Sequence, residues 1–183
     1  AGRKRRLTAT PIGQWAAERD IPTIKPDDAN DPAVVEQLRS LGADAAVVIA
    51  FGQKLSPPLI GAIGDLVVNL HSSLLPKYRG AAPINWAVIH GESHTGVSVI
   101  SLADRMDAGL IYATRSLAIA PTETAGELHD RLAMLGPDAL AEVLANHTAG
   151  TLQGEPQDES LATRAPKLSA ADRRIDFDAG ATA

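Results

Sequence analysis

Two short apolar runs constrain this chain more than any other feature of its sequence. Ala45 to Phe51 is continuous, Leu66 to Leu70 is apolar but for Asn69, and both are rich in valine, isoleucine or leucine and preceded by turn residues. A strand that is apolar on both faces must be covered on both faces, which is the situation inside an α/β sheet. The punctuation between the runs agrees. Thr10-Pro11, Asp31-Pro32 and Ser56-Pro57 each join an N-cap residue to a proline at the first helical position. Ile12, Trp15 and Ala16 then share a helix face, as do Val35, Leu38 and Leu41, with Gly42 as a stop. Helix starts alternating with apolar runs predict an α/β domain with a mostly parallel sheet.

The same reading extends along the chain. A helix is predicted within Gly80 to His90, ended by Gly91, and strands over Gly96 to Leu102 and Leu110 to Ile119. Thr124-Ala125-Gly126-Glu127 fits a capping box, in which hydroxyl and carboxylate satisfy each other's orphan backbone donors. It opens a helical region to about Asn146, with Gly136-Pro137 as an expected kink or break. Beyond Thr148 the composition turns polar and predicts a tail running over the surface. The expected organisation is one domain over residues 1–150 and a connecting tail over 151–183. The first residue is not Met and the opening reads like the middle of a loop, so a truncated amino end is expected.

Composition narrows the function classes. Among 183 residues there is no cysteine, which removes disulfides, thiolate nucleophiles and cysteine-ligated metals and suits a reducing compartment. No apolar run approaches the ~18–20 residues that cross a bilayer, and no apolar segment follows the basic start as a signal peptide would require. The net charge is −5, from 17 Lys+Arg against 22 Asp+Glu, so the chain as a whole is no polyanion binder. Arg3, Lys4, Arg5 and Arg6 nevertheless cluster at the start, either as a solvated end or as a phosphate-contacting arm.

The strongest local signal lies at the end of the second apolar run. Asn69 and His71 are polar, two residues apart, and therefore on one side of a strand. They sit at the carboxyl end of that strand, where α/β sheets place their ligands, and a loop rich in Ser, Pro and Gly follows. A second polar cluster, Asp104-Arg105-Met106-Asp107-Ala108-Gly109, follows the strand predicted over Gly96 to Leu102. A carboxylate there could orient a histidine, and spacing alone does not rank Asp104 against Asp107. His90 and His94 have i, i+4 spacing, but Gly91 interrupts the helix that metal ligation at that spacing needs. His129 falls on a solvated helix face. Asn146-His147-Thr148 fits a glycosylation sequon without a secretory signal to support it. There is no phosphate-binding glycine motif and no metal-ligand cluster.

Asn69-Leu70-His71-Ser72-Ser73-Leu74-Leu75-Pro76, with Arg79-Gly80-Ala81-Ala82-Pro83-Ile84 and Asp107-Ala108-Gly109, resembles the folate-dependent formyltransferases. The resemblance spans roughly residues 1 to 178. It implies a Rossmann-like fold and 10-formyltetrahydrofolate as formyl donor, with no metal. By the same resemblance Asn69, His71 and Asp107 are catalytic, while Phe51, Gly52, Gln53, Leu55, Ser73, Leu74, Leu75 and Pro76 hold the pterin end of the folate. Ala1-Gly2-Arg3-Lys4-Arg5-Arg6-Leu7 resembles the end of a basic loop in the tRNA-acting branch, so Arg3, Lys4, Arg5 and Arg6 become expected tRNA contacts. Ala165-Pro166-Lys167-Leu168 and Arg174-Ile175-Asp176-Phe177 resemble the segment that leads into that branch's C-terminal domain, and that domain is expected to be absent from this chain.

The implied reaction moves a formyl group to the α-amino group of initiator methionyl-tRNA, for translation initiation. It would be carried out by a monomer in the cytoplasm of a bacterium or in an organelle. Two other readings remain: a formyltransferase acting on an amino-sugar nucleotide or another small amine, and a folate-binding fragment without activity.

Overall fold

Thr10, Asp31 and Ser56 each accept a backbone N–H from the first turn of a helix, at 3.2, 2.8 and 3.4 Å. The helices they open are α1 (Pro11–Ala17), α2 (Pro32–Ser40) and α3 (Pro57–Ile60), all with proline in the first turn. This is a computed structural model, and it describes residues 9–173. The chain divides into two compact units, Ala1–Leu41 with Gln53–Ala62, and Gly42–Gly52 with Ile63–Ala183.

The smaller unit is tied together by side-chain amides. Gln53 accepts from the Ala29 N–H and donates to the Asp27 carbonyl, at 3.0 and 3.1 Å. Asn30 accepts from the Ser56 N–H and donates to the Lys54 carbonyl, at 2.7 and 3.0 Å. Segments 27–30 and 53–56 are thereby fixed to each other without a sheet.

The larger unit contains a four-stranded sheet in the order β1 (Ala45–Val48), β2 (Leu66–His71), β3 (His94–Ser101), β4 (Ile111–Ala118). The α/β class read from the sequence is the one observed. The pairing is mixed: β1 and β2 run parallel, while β2–β3 and β3–β4 are antiparallel. A parallel return from β3 to β4 would need a crossover of roughly a dozen residues or more. The short loop over 102–110 allows only a hairpin-like reversal. In register, Asn69 lies opposite Ile100 and His71 opposite Ser98.

The core forms between this sheet and α5 (Ala125–Thr148). Leu66, Val68, Val97, Val99 and Ala113 pack against Leu128, Leu132, Ala139 and Val143, one stripe of the helix. The capping box is present, with Thr124 and Glu127 each satisfying the other's backbone N–H. The expected break at Gly136-Pro137 does not occur, and α5 runs through Pro137 uninterrupted. Ala133, whose carbonyl loses its usual amide partner to proline, lies with Pro137 on the exposed side, where water can satisfy it. Gly136 faces the sheet instead: a Cβ there would stand 2.7 Å from Leu70 Cδ2.

Helix α4 (Pro83–Ile89) carries the loop after β2 back over a small second cluster, Tyr78, Ala87 and Ala165. Ala165 comes from the segment expected to run over the surface. That segment is tied down along its length. Ile111 and Glu155 exchange backbone hydrogen bonds of 2.8 Å each; Arg79 donates to Thr163 at 2.9 Å and accepts from Ala165 at 2.7 Å. The Trp86 indole N–H donates to the Pro166 carbonyl at 2.7 Å.

Candidate active site

Strand β2 delivers two polar side chains to one place because its side chains alternate. Asn69 is half-buried, and His71, the last residue of the strand, is buried. The His71 ring is gripped at Nε2 by the Tyr78 carbonyl, 2.9 Å away. A carbonyl can only accept, so Nε2 carries a proton in either charge state and Nδ1 is the position that gains or loses the second. Nδ1 faces the Asp107 carboxylate at 3.6 Å, an ionic contact longer than a hydrogen bond.

Asp104 and Asp107, which spacing alone does not rank, are placed differently. Asp104 is exposed, whereas the Asp107 side chain is only 12% exposed and meets three groups. Its Oδ1 accepts from Asn69 Nδ2 at 3.4 Å, and its Oδ2 accepts from the Gly80 N–H at 2.9 Å and faces His71. Asn69, His71 and Asp107 therefore form one cluster, assembled from β2 and the loop after β3. Asp107 adopts φ +53°, unusual for a residue with a side chain. Gly109, two residues on, lies so close to the Ser101 carbonyl that a Cβ has no room, which draws this loop tightly onto the end of β3.

The loop after β2 holds residues that sequence reasoning passed over. Tyr78 is buried at φ +63°; it grips His71 through its carbonyl while its hydroxyl donates to Glu92 at 2.7 Å and lies 3.1 Å from His90 Nδ1. Burial, with the Glu92 hydrogen bond, raises the Tyr78 pKa well above its usual value. That same hydrogen bond, together with Lys77, holds the Glu92 carboxyl below the usual carboxylate range. Arg79 is buried at 8% exposure and forms a two-pronged pair with Glu159, 3.1 and 2.9 Å. Hydrogen bonds from Arg79 and then from Arg105 lower the Glu159 pKa to about 2. Gln157 joins this group by binding Arg79 on one side and the carbonyls of Asp107 and Gly109 on the other. Glu159 and Gln157 lie in a polar stretch without periodicity, where no sequence signal marks them.

The residues expected to hold folate are dispersed in role. In the loop after β2, the Ser73 hydroxyl is buried and donates to the Lys77 carbonyl at 2.6 Å, and Leu75 is buried at 7% exposure. Leu74 packs toward Gly96, and Pro76 is half-buried. Ser98 fastens this loop to β3 by accepting from the Leu75 N–H and donating to the Ser73 carbonyl. Phe51 is 46% exposed beside Gly52, which takes φ +79°, in the larger unit. Gln53 and Leu55 belong to the smaller unit, where the Gln53 side chain is committed to the 27–29 backbone.

His94 is near Ser93 Oγ at 3.1 Å, and His129 lies exposed beside Asp130. Among the described residues no three His, Cys, Asp or Glu side chains cluster as a metal site would require, and no helix is long and apolar enough to cross a membrane. Arg3, Lys4, Arg5 and Arg6 lie outside the described residues.

An amide donor, an imidazole and a carboxylate thus converge at the end of a strand. A family model described as formyl transferase matches residues 1–144. The chain belongs to the formyl transferase family. Relatives named methionyl-tRNA formyltransferase come from Heliobacterium modesticaldum, 44% identical over 182 residues, and Geobacter metallireducens, 42% identical over 176. These alignments take in 100% and 96% of this chain, which spans 57% of each relative's length. Among solved structures, HypX from Aquifex aeolicus in complex with tetrahydrofolic acid superposes with a TM-score of 0.71 at 21% identity, covering 84% of this chain and 26% of that one. That likeness shows the fold.

Proposed function

We propose that this chain carries the formyl-transferring site of a methionyl-tRNA formyltransferase, moving the formyl group of 10-formyltetrahydrofolate to the α-amino group of initiator methionyl-tRNA. The observation that carries the reading is the convergence of Asn69, His71 and Asp107 in a chain 44% identical to a relative of that name.

The acceptor amine attacks the formyl carbon, and the carbonyl oxygen gains charge as the tetrahedral intermediate forms. Asn69 Nδ2, through the hydrogen it does not give to Asp107, and protonated His71 Nδ1, which lies beyond hydrogen-bonding distance of Asp107, are the donors proposed for that oxyanion. A preorganised donor of this kind contributes about 3 kcal/mol to the transition state. His71 is held by Tyr78 through Nε2, which leaves Nδ1 as the working nitrogen. Asp107 balances the imidazolium charge and takes up the proton that the amine loses on attack. Collapse of the intermediate breaks the bond to N10, which takes the proton held by Asp107 and leaves as the amine of tetrahydrofolate. No side chain is acylated.

For the donor, the Ser73–Pro76 loop and the segment Phe51-Gly52 border the pterin; this role, like that of Gln53 and Leu55, rests on the sequence resemblance. For the acceptor, Arg3, Lys4, Arg5 and Arg6 contact tRNA phosphates near the acceptor end. The reading places a monomer in the bacterial cytoplasm or an organelle, where initiator tRNA is used.

The experiment is transfer of labelled formyl from 10-formyltetrahydrofolate to initiator methionyl-tRNA, with an amino-sugar nucleotide in parallel. It uses this chain and a fusion of it to the remaining length of the Heliobacterium modesticaldum relative. Transfer to the tRNA supports the proposal. Transfer to the sugar alone replaces it, and folate binding without transfer by either protein leaves a folate-binding module.

A further inference from the structure

Gln157 belongs to no motif, yet its side-chain amide uses every hydrogen-bonding position it has. Its Oε1 accepts from Arg79 Nε at 3.0 Å and Nη2 at 2.7 Å. Its Nε2 donates to the Asp107 carbonyl and to the Gly109 carbonyl, both at 2.8 Å. Two lone pairs and two hydrogens are an amide's full inventory, so this position calls for an amide and nothing else. A carboxylate would oppose two carbonyls with acceptors only. An apolar side chain would leave the same carbonyls and a buried guanidinium short of partners.

The two carbonyls it grips flank Ala108 in the loop that carries Asp107. Asp107 sits at φ +53°, a left-handed conformation that few residues with a Cβ adopt. Such a conformation persists only where its surroundings hold it. The holding group is itself held: Arg79 is buried, braced by Glu159, and adjacent to Gly80, whose N–H binds the Asp107 carboxylate. Asp107 is thus fixed through its carbonyl by Gln157 and through its carboxylate by Gly80.

We infer that Gln157 is a positioning residue for formyl transfer, keeping the 107–109 loop where the Asp107 carboxylate faces His71 and Asn69. The inference rests on the proposed chemistry of that site. Misplacing a reacting or charge-balancing group by roughly 1 Å can lower a rate by about 100-fold.

The test uses Gln157→Glu and Gln157→Met, neither of which shortens the side chain, in the transfer-competent protein. The expected result is a kcat lower by about 100-fold. The KM for 10-formyltetrahydrofolate should change by less than about threefold. The 15N resonances of the His71 imidazole, recorded without substrate, should move from their wild-type positions. If Gln157→Met does not fold, Gln157→Glu, which retains the partner of Arg79, carries the test. Unchanged kcat and unchanged His71 resonances in a folded variant overturn the inference. So does a loss confined to thermal stability with His71 unmoved. If wild-type protein transfers nothing to the tRNA, the proposed function has failed, whereas the substrate-free His71 spectra still decide the role of Gln157.

Discussion

Gly80→Ala should damage both stability and transfer, and its magnitude can be worked from the positions of a few atoms. Gly80 adopts φ +130°, a conformation that costs a residue with a side chain about 1–3 kcal/mol. A Cβ at that position would also lie 2.5 Å from the Ala165 oxygen and 3.0 Å from its carbonyl carbon. Both are backbone atoms, so the neighbour cannot yield by changing a rotamer. The segment that must move makes the backbone bonds Arg79 N–H to Thr163, Ala165 N–H to Arg79 and Ala82 N–H to Ala165. Each is worth about 1 kcal/mol net, which brings the expected loss to about 4–6 kcal/mol. Gly91 is the control: it also has positive φ, +64°, but nothing lies within 4 Å of its would-be Cβ. Gly91→Ala should therefore cost only about 1–2 kcal/mol. At about 2–4 °C per kcal/mol, calorimetry should separate the two variants clearly. The formyl-transfer rate should fall in Gly80→Ala alone, because the Gly80 N–H that anchors Asp107 moves with the backbone. A Gly80→Ala protein that melts with Gly91→Ala and transfers at the wild-type rate would refute the argument.

Two further outcomes follow from the polar groups around the site. The Glu159 pKa lies at about 2 in the folded protein, below its ordinary value of 4.5, because of Arg79 and Arg105. Its stabilising contribution is therefore complete above pH 4.5 and is lost as pH falls through about 2. With Trp15→Phe removing the other indole, Trp86 fluorescence should report release of the segment at Pro166 across that interval, and Glu159→Gln should abolish this pH dependence. Tyr78→Phe removes the hydroxyl bound to Glu92 but keeps the carbonyl that holds His71. It should lower stability in urea by about 1–2 kcal/mol with kcat changed less than about threefold.

The sequence carried local signals that survive packing. Thr10, Asp31, Ser56 and Thr124 announce helices because capping is settled within a few residues. Asn69 and His71 were legible as a pair because strand alternation is equally local. Pro137 misleads as a breaker because its cost depends on whether Ala133 faces water, a tertiary fact. The antiparallel placement of β3 and β4 was likewise invisible to apolar patterning, which reports burial and not direction. Asp107 could be distinguished from Asp104 only once the loop was folded against Gly80. Gln157, Glu159 and the Tyr78 carbonyl act across separations of up to 80 residues, or through the backbone, so no short-range pattern encodes them.

The central claim is that Asn69 and His71 stabilise the charge that develops on a transferring formyl group. The most direct measurement is single-turnover transfer by Asn69→Ala, with folate affinity determined on the same protein. The account predicts folate binding within about threefold of wild type and a transfer rate lower by about 100-fold or more. An Asn69→Ala protein that binds folate normally and transfers at the wild-type rate would contradict it.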